Sequence, residues 1–152
     1  MNPQGAQNYL RTKVLTATPE QLQLMLFDGA LRFGEQAKLA IEQKNFEQSY
    51  ELISRVQRIL TELSCSLKHN VFPELCGRLA ALYTYAYKKL IEANVDRNVE
   101  PLSEAIELLR YQRETWALLL EQLGKHKAGV AATKLNLPAP DARMEASISI
   151  QG

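Results

Sequence analysis

Thr18-Pro19-Glu20-Gln21-Leu22-Gln23-Leu24-Met25-Leu26-Phe27-Asp28-Gly29-Ala30 decides the fold of this chain. Thr18 can accept from free amides at a helix start, Pro19 suits the first helical position, and Gln21, three residues after Thr18, completes a capping box. Apolar residues then recur at Leu22, Leu26, Ala30, Phe33, Ala37 and Ile41, with spacings of 4, 4, 3, 4 and 4. That is one face of a helix, expected to end near Lys44. Leu24, Phe27 and Leu31 point to another side, so the helix is apolar nearly all round and has to be covered twice. Either its own bundle covers both sides, or a partner covers one of them. Leu24, Phe27 and Leu31 are therefore candidates for a partner surface, with core as the competing reading. Asp28-Gly29 sits in mid-helix, where a glycine costs about 1 kcal/mol relative to alanine. Such a glycine permits close approach of another helix, from this chain or from a ligand. Asp28 is a candidate to cap a ligand helix or to pair with a base, or else it is a surface side chain.

The same period continues outward. Asn45, with Gln48 three residues on, caps a second helix whose seam is Phe46, Tyr50, Ile53, Val56, Leu60, Leu63 and Leu67, ending at about residues 68–70. Pro73 opens a third helix striped by Leu75, Leu79, Leu82, Ala86, Leu90 and Ala93, which Tyr83, Tyr87 and Ile91 widen to a second edge, a candidate partner surface or else more core. Asn98 caps a fourth, carrying Leu102, Ile106, Leu109, Arg113, Trp116, Leu120 and Leu123, with Gly124 as its stop. All six prolines fall where these patterns break, as helices require. Helices of roughly 21 to 27 residues would run about 30–40 Å, and short connections force antiparallel neighbours. The expected fold is all-α: an elongated antiparallel up-and-down four-helix bundle over residues 18–124. An N-terminal arm precedes it at residues 1–17, with a short helix at Gln4 to Lys13, and a flexible tail rich in Ala, Lys, Ser and Pro follows at residues 125–152. In the arm, Tyr9, Leu10 and Val14 are apolar residues ahead of the first cap. The arm is expected to lie over an apolar groove of the bundle until a partner displaces it, with a simple staple onto the first long helix as the competing reading.

Composition narrows the function. The chain has 152 residues, 46% apolar and 23% charged, and a formal net charge of +1, so there is no basic excess to neutralise the phosphates of nucleic acid. No apolar run approaches the length of a membrane span. The opening Met1-Asn2-Pro3-Gln4-Gly5 is polar and lacks a signal-peptide core, which gives a cytoplasmic expectation. Cys65 and Cys76 are read as reduced packing thiols. His69 and His126 have no partner at metal-ligand spacing, Glu-x-x-His is absent, and no phosphate loop or nucleophile elbow occurs. The expectation is a non-catalytic protein with no metal and no cofactor, which works by holding another protein.

Several of these stretches, in order, resemble the flagellar secretion chaperone FliS family. They are Tyr9, Val14, Thr16-Ala17-Thr18-Pro19-Glu20-Gln21-Leu22, and Leu24-Met25-Leu26-Phe27-Asp28-Gly29-Ala30, then Leu82-Tyr83-Thr84-Tyr85, Leu90-Ile91-Glu92-Ala93-Asn94, and Leu109-Arg110 through Trp116. Thr84 stands where the family often has Asp, and Phe27 where Tyr is common. The resemblance implies a cytosolic export chaperone. It would bind the C-terminal segment of flagellin, which becomes helical on binding, block premature polymerisation, and deliver flagellin to the flagellar type III export gate. It would be a monomer or weak dimer when free. The competing reading is a helical scaffold or homodimerising interaction module, and a bundle enzyme or metal store is a third.

Overall fold

The computed structural model describes residues 3–135, which form five helices: α1 (Pro3–Thr16), α2 (Pro19–Glu42), α3 (Phe46–Cys65), α4 (Pro73–Asp96) and α5 (Val99–Leu135). Residues up to Trp116 make one compact unit, and the described residues from Ala117 on belong to a second. The second unit contributes the end of α5, which runs through Gly124 rather than stopping there. A Cβ at Gly124 would meet nothing within 4 Å, so this glycine marks neither a close approach nor a cap. Of the expected tail, residues 125–135 are thus helical, and residues 136–152 lie outside the described residues.

The helix starts follow the local chemistry of the sequence. The Gln21 amide donates to Thr18 Oγ1 (3.1 Å), and the Thr18 amide donates to Gln21 Oε1 (3.0 Å), which satisfies two orphan donors reciprocally. The Gln48 amide donates to Asn45 Oδ1 (3.3 Å), and the Glu100 amide to Asn98 Oδ1 (3.0 Å). The helix ends are less regular. Lys44 takes φ 60°, with its amide donating to Ile41 O (2.9 Å) and the Asn45 amide donating to Ala40 O (2.8 Å), a Schellman closure built on lysine instead of glycine. Arg97, at φ 50°, closes α4 in the same left-handed conformation and stacks its guanidinium on the Phe46 ring at 4.4 Å. α3 stops at Cys65, earlier than its apolar period suggested. The Leu67 amide turns back to Ser64 O, and Leu67 still packs on the core from outside the helix.

Pairings across the bundle give its topology. Gly29 approaches Ile59 and Phe33 lies under Arg55, so α2 and α3 run antiparallel. Glu20 with Trp116, Asp28 with Arg113 and Glu35 with Arg110 run α5 antiparallel to α2 on its other side. α4 closes the ring, meeting α3 through Arg97 and Phe46 and α5 through Lys89 and Glu104. The core consists of Phe27, Ile53, Leu60, Leu63, Tyr83, Leu90, Leu102, Ile106 and Leu109 with a layer of alanines, all nearly solvent-free. The two-sided apolarity of α2 is therefore satisfied within the chain, by α3 and α5.

Candidate functional site

That packing relocates the expected partner surface. Phe27 is 2% exposed and belongs to the core, and Leu31 is half-buried against it, so neither presents a free face. Tyr83, expected on an outer edge, is also core at 3% exposure, and burial pushes its phenol up to about 12. Leu24 is half-buried beside Met25 in a shallow pocket where Lys13, Thr16 and Ala17 at the end of α1 approach α2. Asp28 has a partner within the chain: Arg113 Nε donates to Asp28 Oδ1 at 2.8 Å. That hydrogen bond raises the guanidinium above its ordinary value, burial works against it, and the charges of Asp28 and Glu114 add to the rise. Gly29 is covered by Ile59 of this chain, but a Cβ there would make only an ordinary contact at 3.5 Å, so the approach that requires glycine on α2 is at Gly34 and not at Asp28-Gly29.

Tyr87 and Ile91 remain exposed, at 38% and 44%. They are four residues apart on α4, and Val95, exposed as well, continues the stripe one turn on. Beside them lies an open groove of about 370 Å³ between α3 and α4. Leu60 and Tyr83, both core residues, form its apolar floor, while Ser64 and Cys65 on α3 face Thr84 and Lys88 on α4. Sequence reasoning missed Ser64 and Cys65 as lining residues, because they are polar or small and fall off the α3 seam.

α1 presents Tyr9, Leu10 and Val14 to solvent and buries none of its residues, so it does not cover this groove. Among the described residues, no three His, Cys, Asp or Glu side chains come close enough to hold a metal ion, and no helix is long and apolar enough to cross a membrane. Cys65 is an exposed free thiol and Cys76 a buried one. The arrangement offers an apolar trough with hydroxyl and ammonium groups along its rim, suited to holding a helix.

A sequence model of the family described as flagellar protein FliS matches residues 1–123 of this chain. The flagellar secretion chaperone FliS of Bacillus subtilis (strain 168) is 35% identical over 130 residues, covering 84% of this chain and 95% of that protein. Its namesake from Campylobacter jejuni is 31% identical over 108 residues, covering 71% and 84% respectively. Among solved structures, one described as a flagellar chaperone from bacteria superposes with a TM-score of 0.64 at 18% identity, covering 78% of this chain and 97% of the other, a likeness of fold.

Proposed function

Because this chain belongs to the FliS family of flagellar proteins, we propose that it is a cytosolic export chaperone. In this reading it binds the C-terminal segment of flagellin, prevents premature polymerisation, and delivers flagellin to the flagellar type III export apparatus. The relatives that carry the family name are secretion chaperones, which supports a reading of binding and release rather than of a chemical step. The observation that supports the reading is the uncovered apolar edge of α4 beside the α3–α4 groove, where Tyr87 and Ile91 stay exposed next to a groove floored by the core residues Leu60 and Tyr83. An amphipathic helix laid there would bury apolar surface on both partners. A segment that orders only on binding gives up part of that gain, which keeps the complex reversible. α1, with Tyr9, Leu10 and Val14 in solvent, is the element free to meet the export gate. The free protein is a monomer or weak dimer in this account. Size-exclusion chromatography and calorimetry test it: a one-to-one complex forms with full-length flagellin and none with flagellin lacking its C-terminal region. Equal affinity for both would refute the reading.

A further inference from the structure

The lining of the α3–α4 groove carries a single charged side chain, Lys88, and no carboxylate. Among the described residues Lys88 has no ion-pair partner, whereas the adjacent Lys89 is held by Glu104 at 3.1 Å and Glu92 at 3.3 Å. These hydrogen bonds, Glu104 first, raise the Lys89 ammonium above its ordinary value. Two consecutive lysines thus have opposite situations: one is neutralised within the bundle, and the other stands uncompensated at the rim of an apolar groove. Lys88 lies one residue after Tyr87 and three before Ile91, so its ammonium flanks the apolar stripe rather than interrupting it.

We propose that the groove selects its ligand helix by charge: the occupant is an amphipathic helix with an Asp or Glu at the edge of its apolar face, set beside Lys88. This rests on the reading of the groove as the flagellin-binding surface. The apolar stripe of the ligand lies along Tyr87 and Ile91, and the carboxylate accepts from the Lys88 ammonium. A helix with Lys or Arg at that edge meets an ammonium that has no ion-pair partner of its own among the described residues to offset the repulsion. The pair is at the rim and partly hydrated, so its effect falls on partner choice, association rate and salt dependence more than on total affinity.

The test uses three short helical peptides with the same leucine stripe and Glu, Gln or Lys at its edge, together with the C-terminal segment of flagellin. Each is titrated into the full chain and into its Lys88→Glu variant at low and high salt. The wild type is expected to prefer the Glu peptide to the Lys peptide by about tenfold at low salt, with the preference shrinking as salt screens it. Lys88→Glu is expected to invert that order and to weaken the flagellin segment by about threefold or more. Lys88 is exposed, so circular dichroism of the variant should match the wild type. An unchanged peptide order in Lys88→Glu, or a flagellin affinity untouched by the substitution, overturns the proposal. If the peptides show the inversion while flagellin binds neither protein, charge selection by the groove stands and the flagellin reading falls.

Discussion

α2 and the outer edge of α4 present similar apolar residues and end in opposite situations. On α2, Phe27 and Ala30 are shut away between α3 and α5, while on α4, Tyr87 and Ile91 lie open with no further helix of the bundle unit over them. The contrast is sharpest within α4 itself, where Tyr83 is 3% exposed and Tyr87, one turn later, is 38% exposed. Excess hydrophobicity therefore does not identify a binding surface. What matters is whether the fold supplies a second cover.

The largest expected difference comes from placing a carboxylate on each side of that contrast. Phe27→Asp should cost about 3–5 kcal/mol, because it removes a core aromatic and buries an unpaired charge, and thermal denaturation should show early melting. The double change Tyr87→Asp and Ile91→Asp should leave the melting temperature close to wild type and abolish the flagellin complex. A Phe27→Asp protein as stable as wild type would erase the contrast.

Glycines on α2 sharpen it next. A Cβ at Gly34 would lie 2.8 Å from Ile106 Cγ1, whereas one at Gly29 would meet Ile59 Cδ1 at 3.5 Å, an ordinary contact. Gly34→Ala should therefore destabilise by about 1–3 kcal/mol through overpacking. Gly29→Ala should be neutral or stabilising by up to about 1 kcal/mol. Chemical denaturation of the two variants checks the order.

Tyr83 gives a pH signature that an exposed tyrosine would lack. Its folded value, about 12, lies above the ordinary tyrosine value of 10.0, so the unfolded chain ionises first as pH rises. Its contribution is fully present below about pH 10 and is lost between there and about pH 12, to the extent of about 2 kcal/mol. Tyr83→Phe should flatten that alkaline limb, measured as denaturation midpoint against pH.

The smallest effect concerns the two left-handed helix ends. Lys44→Gly should stabilise by about 1 kcal/mol, since glycine adopts positive φ without the Cβ penalty. Arg97→Gly should gain less, because it also gives up the stacking of Arg97 on Phe46. Paired melting curves would show the difference.

Much of the fold was legible because helix starts are local: Thr18 with Gln21 and Asn45 with Gln48 declare themselves within four residues. Which face turns inward was harder to read. On α3 the seam expected from periodicity includes Tyr50, which is 64% exposed, while Ser49 and Leu52 are the buried residues of that turn. On α4 the core took Tyr83, and Leu75 was left exposed. Periodicity fixes a face only to within about one position, and at 3.6 residues per turn that choice separates core from rim. The pairing of Asp28 with Arg113, 85 residues apart, and the tight approach at Gly34 depend on how helices dock, which no local pattern encodes. Of the candidate partner residues, Tyr87 and Ile91 keep a position suited to binding, Tyr9, Leu10 and Val14 are exposed on α1 and do not line the groove, and Phe27 and Tyr83 belong to the core.

The most direct measurement uses the chain's own thiols. Cys65 is exposed and lines the α3–α4 groove, whereas Cys76 is buried. Alkylation followed by mass spectrometry should label Cys65 readily in the free protein and leave Cys76 largely untouched. If the groove holds the flagellin C-terminal segment, saturating amounts of that segment should slow Cys65 labelling at least tenfold, and flagellin lacking the segment should leave the rate unchanged. Formation of the complex with Cys65 labelled as fast as before would contradict the account.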